Sequence, residues 1–172
     1  MSIFKDILST LRVGPLNVRG ILVVTPLTEI PGIAAADALD AGDAMGTVGM
    51  NDKDVYGNPL PKRGWIVGAK LVDPDDDTLS ATVHVYSGRI PGTTSDSALA
   101  HTAVDALFWI TSIPFPVTTD VGAAKVAEAN NVDSLYYSPT RTIWWQFSTA
   151  GTPTIAAGLM PRVQFFIVAG GE

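Results

Sequence analysis

The chain contains no cysteine. Disulfides and cysteine-based zinc sites are therefore excluded, and the redox compartment cannot be read. Charge is scarce: Asp, Glu, Lys and Arg make up 16% of the 172 residues, against about 25% in ordinary soluble domains. No basic cluster is longer than Lys62-Arg63 and the net charge is −6, so the footprint of a nucleic-acid binder is missing. Glutamate is rare, with three Glu beside 14 Asp among the 17 acidic residues. Asp suits turns and caps whereas Glu suits helices, which argues for many turns and little helix. No apolar run approaches the ~20 residues of a membrane-spanning helix. The N-terminus, MSIFKDILSTLRVG, lacks the apolar region and cleavage site of a signal peptide, so we expect a chain made and used without secretion.

What is present is apolar and rich in turn formers: 47% hydrophobic residues, 16 Gly and 12 Pro. The length suits one domain with a real core. So few charges leave much apolar surface to cover, which hints at obligate assembly, since permanent interfaces resemble a core cut in half. A merely well-packed β domain is the alternative.

The chain is organised around Gly64–Ser87. Leu79, Ala81, Val83 and Val85 alternate with Ser80, Thr82, His84 and Tyr86, the period of a strand with one buried face. Trp65–Val72 is apolar on both parities and reads as a strand covered on both sides. Asp73-Pro74-Asp75-Asp76-Asp77-Thr78 between them reads as a solvated turn closing a hairpin. Residues 2–12 place Ile3, Phe4, Ile7, Leu8 and Leu11 on one side of a short helix that Gly14-Pro15 ends. Such a helix has to dock on its own domain or on a neighbour. Further strands are expected at Arg19–Pro26, Ala44–Met50, Asp105–Phe115 (broken by Pro114), Thr152–Ala157 and Arg162–Ala169. Ser134–Ser138 and Thr142–Thr149 read as a strand pair around Pro139-Thr140-Arg141. Ser95–Asp105 suggests a helical turn capped by Ser95 or Asp96, and Ala123–Asn130 the best internal helix. The long stretch Leu27–Arg63 should be functional or hold edge strands. About eight strands without βαβ alternation predict an antiparallel sandwich or barrel.

The chemistry considered yields little. Asp73, Asp75 and Asp77 have the spacing of a calcium loop, but Thr78 stands where that loop needs Gly and His84 where it needs Glu. Asp52–Gly57 has the glycine but ends at Arg63. Two histidines, His84 and His101, leave few transition-metal options. There is no GxSxG elbow, no glycosidase-like pair among Glu29, Glu128 and Glu172, and no phosphate loop around Gly42, Gly46 and Gly49. We expect no enzymatic activity, no metal and no cofactor. Aromatics remain: Trp65, Trp109, Trp144, Trp145, Tyr136, Tyr137, Phe165 and Phe166 lie in expected strands. Adjacent pairs cannot share one face, so one member of each points away from the core. That member suits an interface or a sugar platform, unless a helix or loop covers it.

The order of segments is a further clue. GDAMG (Gly42–Gly46), GWIVGAKLVDPDDDTLSATVHVYS, IPGTTSDSALAHTAVDA and TAGTPTIAAGLMPRVQFFIV follow one another. Over roughly Gly42–Val168 this resembles small virion proteins of tailed phages, similar to capsid cement or decoration proteins. The resemblance implies an all-β, antiparallel, jelly-roll-like sandwich; joined to the pattern of the first residues, which it does not cover, this gives a sandwich domain, residues 19–172, behind a helical or extended N-terminal arm, residues 1–18. It implies a structural protein made in the host cytoplasm and placed on the capsid surface of the virion. There it binds the major capsid protein and itself, as a homodimer or homotrimer, and clamps neighbouring subunits. The expected interface residues are Ile3, Phe4, Ile7, Leu8, Leu11, Trp144 and Phe166, with the 27–63 region. A receptor- or carbohydrate-binding β-sandwich module of a tail fibre or appendage is the alternative.

Overall fold

A computed structural model describes residues 20–33, 38–75, 79–116, 119–122, 124–156 and 158–170. The expected arm, residues 1–18, lies outside them. The described strands are β1 (Leu22–Val24), β2 (Thr28–Glu29), β3 (Ala44–Asn51), β4 (Arg63–Asp73) and β5 (Ala81–Tyr86). A short helix, α1 (Ala103–Phe108), follows. Then come β6 (Trp109–Phe115), β7 (Thr119–Asp120), β8 (Lys125–Tyr137), β9 (Ile143–Thr149) and β10 (Arg162–Ala169). They build two antiparallel sheets. The first runs β1-β10-β4-β8-β7, with β2 also on β10; the second runs β3-β9-β5-β6. The protein is an all-β sandwich.

Alternation decides which residues enter the core. On β10, Val163, Phe165 and Ile167 share one parity and are all fully buried. They meet Ile143, Trp145 and Phe147 of β9 and Ala81, Val83 and Val85 of β5 in one apolar cluster. The strands of each sheet turn these side chains toward the other sheet, as sandwich packing requires. Two buried polar pairs tie the edges of this core. Trp145 Nε1 donates to Asn51 Oδ1 at 2.8 Å, and Tyr136 Oη donates to the Pro61 carbonyl at 2.8 Å.

Leaving aside the two-residue strands β2 and β7, the pairing is nested. The first strand pairs with the last (β1 with β10), β3 with β9, β4 with β8, and β5 with β6. Successive nested pairs fall alternately in the first and second sheets. The chain is thus one long folded-back ribbon rolled around its core.

This wrapping corrects several local readings. Gly64–Ser87 is not a hairpin: β4 belongs to the first sheet and β5 to the second, so the Asp-rich stretch crosses between sheets. Both edges of β4 are already taken by β10 and β8, and both edges of β5 by β9 and β6. The connection is not simply solvated either. Asp73 is fully buried, and Asp75 Oδ2 accepts the Ala156 amide at 2.6 Å. Ser134–Ser138 and Thr142–Thr149 are likewise strands of opposite sheets. The helix expected over Ala123–Asn130 is instead the start of β8, held by β4 on one side and β7 on the other. Tertiary pairing there overrides helix propensity. Conversely, Asp105–Phe108 is helix rather than strand, and the cap is Thr102, whose Oγ1 accepts the Asp105 amide. Ser95 instead accepts the Gly46 amide of β3 through its Oγ at 3.1 Å. Pro114 does not break β6, which pairs with β5 alone; an edge strand tolerates a missing N–H. Arg19–Pro26 shortens to β1, and Thr152–Ala157 contributes a single bridge, Thr154 to Ala38.

Candidate functional site

The outward face of the second sheet carries most of the polar chemistry. Alternation on β5 and β9 turns His84 and Tyr86 outward beside Gln146 and Trp144, their register partners. The connection from β5 to β6 folds back over this face. Gln146, only 1% exposed, pins it: its Oε1 accepts the Thr93 amide at 3.0 Å and its Nε2 donates to the Gly46 carbonyl at 3.2 Å. Farther along, His101 sits against His84 with ring centroids 4.8 Å apart and edge-on. Its Nδ1 lies 3.0 Å from Tyr86 Oη. The chain then enters α1 through a capping box, with Asp105 Oδ2 accepting the Thr102 amide at 2.7 Å.

His84 is held on both sides by hydroxyls, Nδ1 at 2.8 Å from Ser112 Oγ and Nε2 at 2.9 Å from Ser148 Oγ. Burial, and secondarily the neighbouring His101, depress its pKa to about 4. The imidazole is therefore neutral near neutral pH. Burial, with the Asp105 carboxylate behind it, raises the Tyr86 phenol. Both imidazole nitrogens of His84 bond hydroxyls, so no carboxylate orients the ring as in a Ser-His-Asp triad. The arrangement acts as a strut joining β5, β6 and β9. Among the described residues no three His, Asp or Glu are grouped to hold a metal ion.

Beside the strut lies an open cleft of about 270 Å3, lined by Thr47, Val48, Arg89, Pro91, Thr93 and Trp144. The Arg89 guanidinium carbon stands 6.0 Å from the centre of the half-buried Trp144 ring, within cation–π range.

The outward face of the first sheet is divided: Gln164, Lys70 and Glu128 form a polar row at one end, and the other end is apolar. Register places Leu22, Val168, Trp65 and Leu135 side by side on β1, β10, β4 and β8. None of the four belongs to the inner cluster. Leu135 is 65% exposed, and Tyr137, two residues on, is 62% exposed. A second row holds Val24 and Phe166 beside Gly68. Outer faces of antiparallel sheets are ordinarily polar, so this row is a candidate interface surface.

Of the expected interface residues, Ile3, Phe4, Ile7, Leu8 and Leu11 lie outside the described residues. Trp144 and Phe166 are both half-buried and both point away from the core. They lie on opposite faces of the sandwich, so they cannot serve one contact. Phe166 belongs to the apolar end of its face and Trp144 to the cleft. Leu135 and Leu22 are not among the expected interface residues. The signal was present in SLYYS: once Tyr136 is inward, Leu135 and Tyr137 must be outward. Within the 27–63 region, Val55 and Tyr56 protrude next to β1, with the Val55 amide bonding the Val24 carbonyl and Tyr56 87% exposed. No protein-family model matches the chain, and no curated protein or solved structure matches it.

Proposed function

We propose that this is a structural virion protein of the cement or decoration kind. It binds the outside of a phage head, made up of the major capsid protein, and clamps neighbouring subunits in company with further copies of itself. It works without chemistry or cofactor. The observation that carries this reading is the apolar row on the outer face of the first sheet, on a chain with 16% charged residues. Its exposed end, Leu135 and Tyr137, is the kind of apolar surface that assembly proteins bury between chains. The nested pairing of eight strands supports a jelly roll, an architecture known among viral capsid domains. That support is by analogy, because a fold hosts many functions.

The receptor- or carbohydrate-binding reading is favoured by one feature, the cleft with Trp144. Its lining, however, holds no Asp or Asn of the kind expected beside a sugar-stacking ring, and Arg89 already covers that ring. The assembly reading therefore ranks first. It is tested by adding the purified chain to expanded heads. Stoichiometric binding and a higher temperature of head disruption are expected. Heads that fall apart at the same temperature with and without the chain would sink the proposal.

A further inference from the structure

We infer that the cleft over Trp144 is a binding site for a carboxylate that carries a flat apolar group. Arg89 takes the carboxylate, and Trp144, Val48 and Pro91 hold the apolar body. This goes beyond the assembly reading and does not depend on it.

Three observations converge. The first is that the cleft has a fixed wall. That wall is the connection from β5 to β6, and two devices hold it. Gln146, 1% exposed, accepts the Thr93 amide through Oε1 at 3.0 Å and donates to the Thr93 carbonyl through Nε2 at 2.5 Å. Gly92 stands so close to Val48 of β3 that a Cβ there would overlap its Cγ2. Its φ of 75° is also one that favours glycine. The second observation is which polar groups remain unspent. Thr47 Oγ1 donates to the Pro31 carbonyl at 3.3 Å, and Thr93 Oγ1 accepts the Ala100 amide at 3.2 Å. The Arg89 guanidinium and the Trp144 indole N–H have no hydrogen-bond or ion-pair partner among the described residues. Both groups only donate. Among the described residues no Asp, Glu or His lines the cleft, and Arg89 is its one charge. A matching ligand must therefore accept, and a carboxylate meets the guanidinium fork with two parallel bonds. The third observation is the space beside that charge. A cavity of ~150 Å3 takes a benzene ring. The cleft of about 270 Å3 holds such a ring and a carboxylate, with the Trp144 ring and Pro91 as apolar walls. The ring also keeps the guanidinium at the cleft, 6.0 Å from its centre.

This chemistry has two sources, a free aryl carboxylate and the C-terminus of a peptide with an aromatic last residue. Phenylacetate and acetyl-Gly-Phe with a free carboxylate represent them. Each is titrated into the full chain while the indole N–H resonances are followed by NMR, the Trp144 signal being assigned by its loss in Trp144→Phe. A saturable shift of that signal is expected, and the tighter probe names the source. Phenylacetamide has the same shape without the charge and should bind at least ~10-fold more weakly than phenylacetate, the worth of a charge-assisted pair. This comparison needs no variant. Arg89→Gln should weaken both carboxylates by a similar factor. Lys70→Gln removes the same charge on the other sheet and should leave them unchanged. No saturable shift with either probe overturns the inference, as does phenylacetamide binding as tightly as the acid. Acetate or inorganic phosphate binding as tightly as phenylacetate overturns it too, by leaving a bare anion contact. Equal weakening in Lys70→Gln overturns it by reducing the effect to net charge.

Discussion

His84 shows how one residue's surroundings set a property of the whole chain. Its folded pKa of about 4 lies below the ordinary 6.5. Protons therefore bind more readily to the unfolded state between those values. The stability that depends on a neutral His84 is complete above pH 6.5 and is lost as pH falls through about 4. Urea midpoints at pH 7 and pH 4.5 should differ in the native sequence and differ less in His84→Gln. An equal drop in both would remove His84 as the cause. Gly49 is the second case. A Cβ there would run into the Trp145 ring, which is fully buried and anchored to Asn51. Gly49→Ala should lower stability by about 1–3 kcal/mol through overpacking, measured by denaturant unfolding. Both effects escape a reading of the sequence. His84 reads only as a residue on a polar strand face, because Ser112 and Ser148 come from strands far along the chain.

At the level of elements, parity was legible and partners were not. The inward sets on β5, β9 and β10 follow from the period of two alone. The pairing of β4 with β8 and β10 does not, since nothing local marks an edge as taken. The Asp-rich connection illustrates the cost of that gap. Proline and aspartates read as a hairpin tip, yet the segment bridges two sheets and Asp75 ties it to the loop before β10. Asp75→Ala should destabilise by about 1–2 kcal/mol, the range for leaving a half-buried amide without its acceptor. Hydrogen exchange should show faster exchange at the Ala156 amide specifically. An unchanged amide would mean the contact carries no weight. The misread helix at 123–130 has a related origin, for KVAEAN has fair helix propensity but lies between two strands that need its backbone.

For the molecule as a whole, nesting makes the last strand the closing element. β10 sits between β1 and β4 and brings Val163, Phe165 and Ile167 to the core. A chain ending at residue 161 should show no cooperative thermal transition, since β1 loses its partner, β4 loses one of its two and the core loses three fully buried side chains. A sharp calorimetric transition in that truncation would contradict this view. The same topology predicts slow folding, because pairing the first strand with the last closes the longest loop. By itself the sequence determined the class: scarce Glu, many turn formers and period-two alternation leave an antiparallel sandwich or barrel, and the structure decided for the sandwich. It also determined that Trp144 and Phe166, rather than Trp145 and Phe165, face outward. Only the tertiary structure decided where those outward residues meet. Alternation assigns a side chain to a face, but long-range register decides its neighbours, and register put Trp65, Leu135 and Val168 in one row while sending Trp144 to the opposite side.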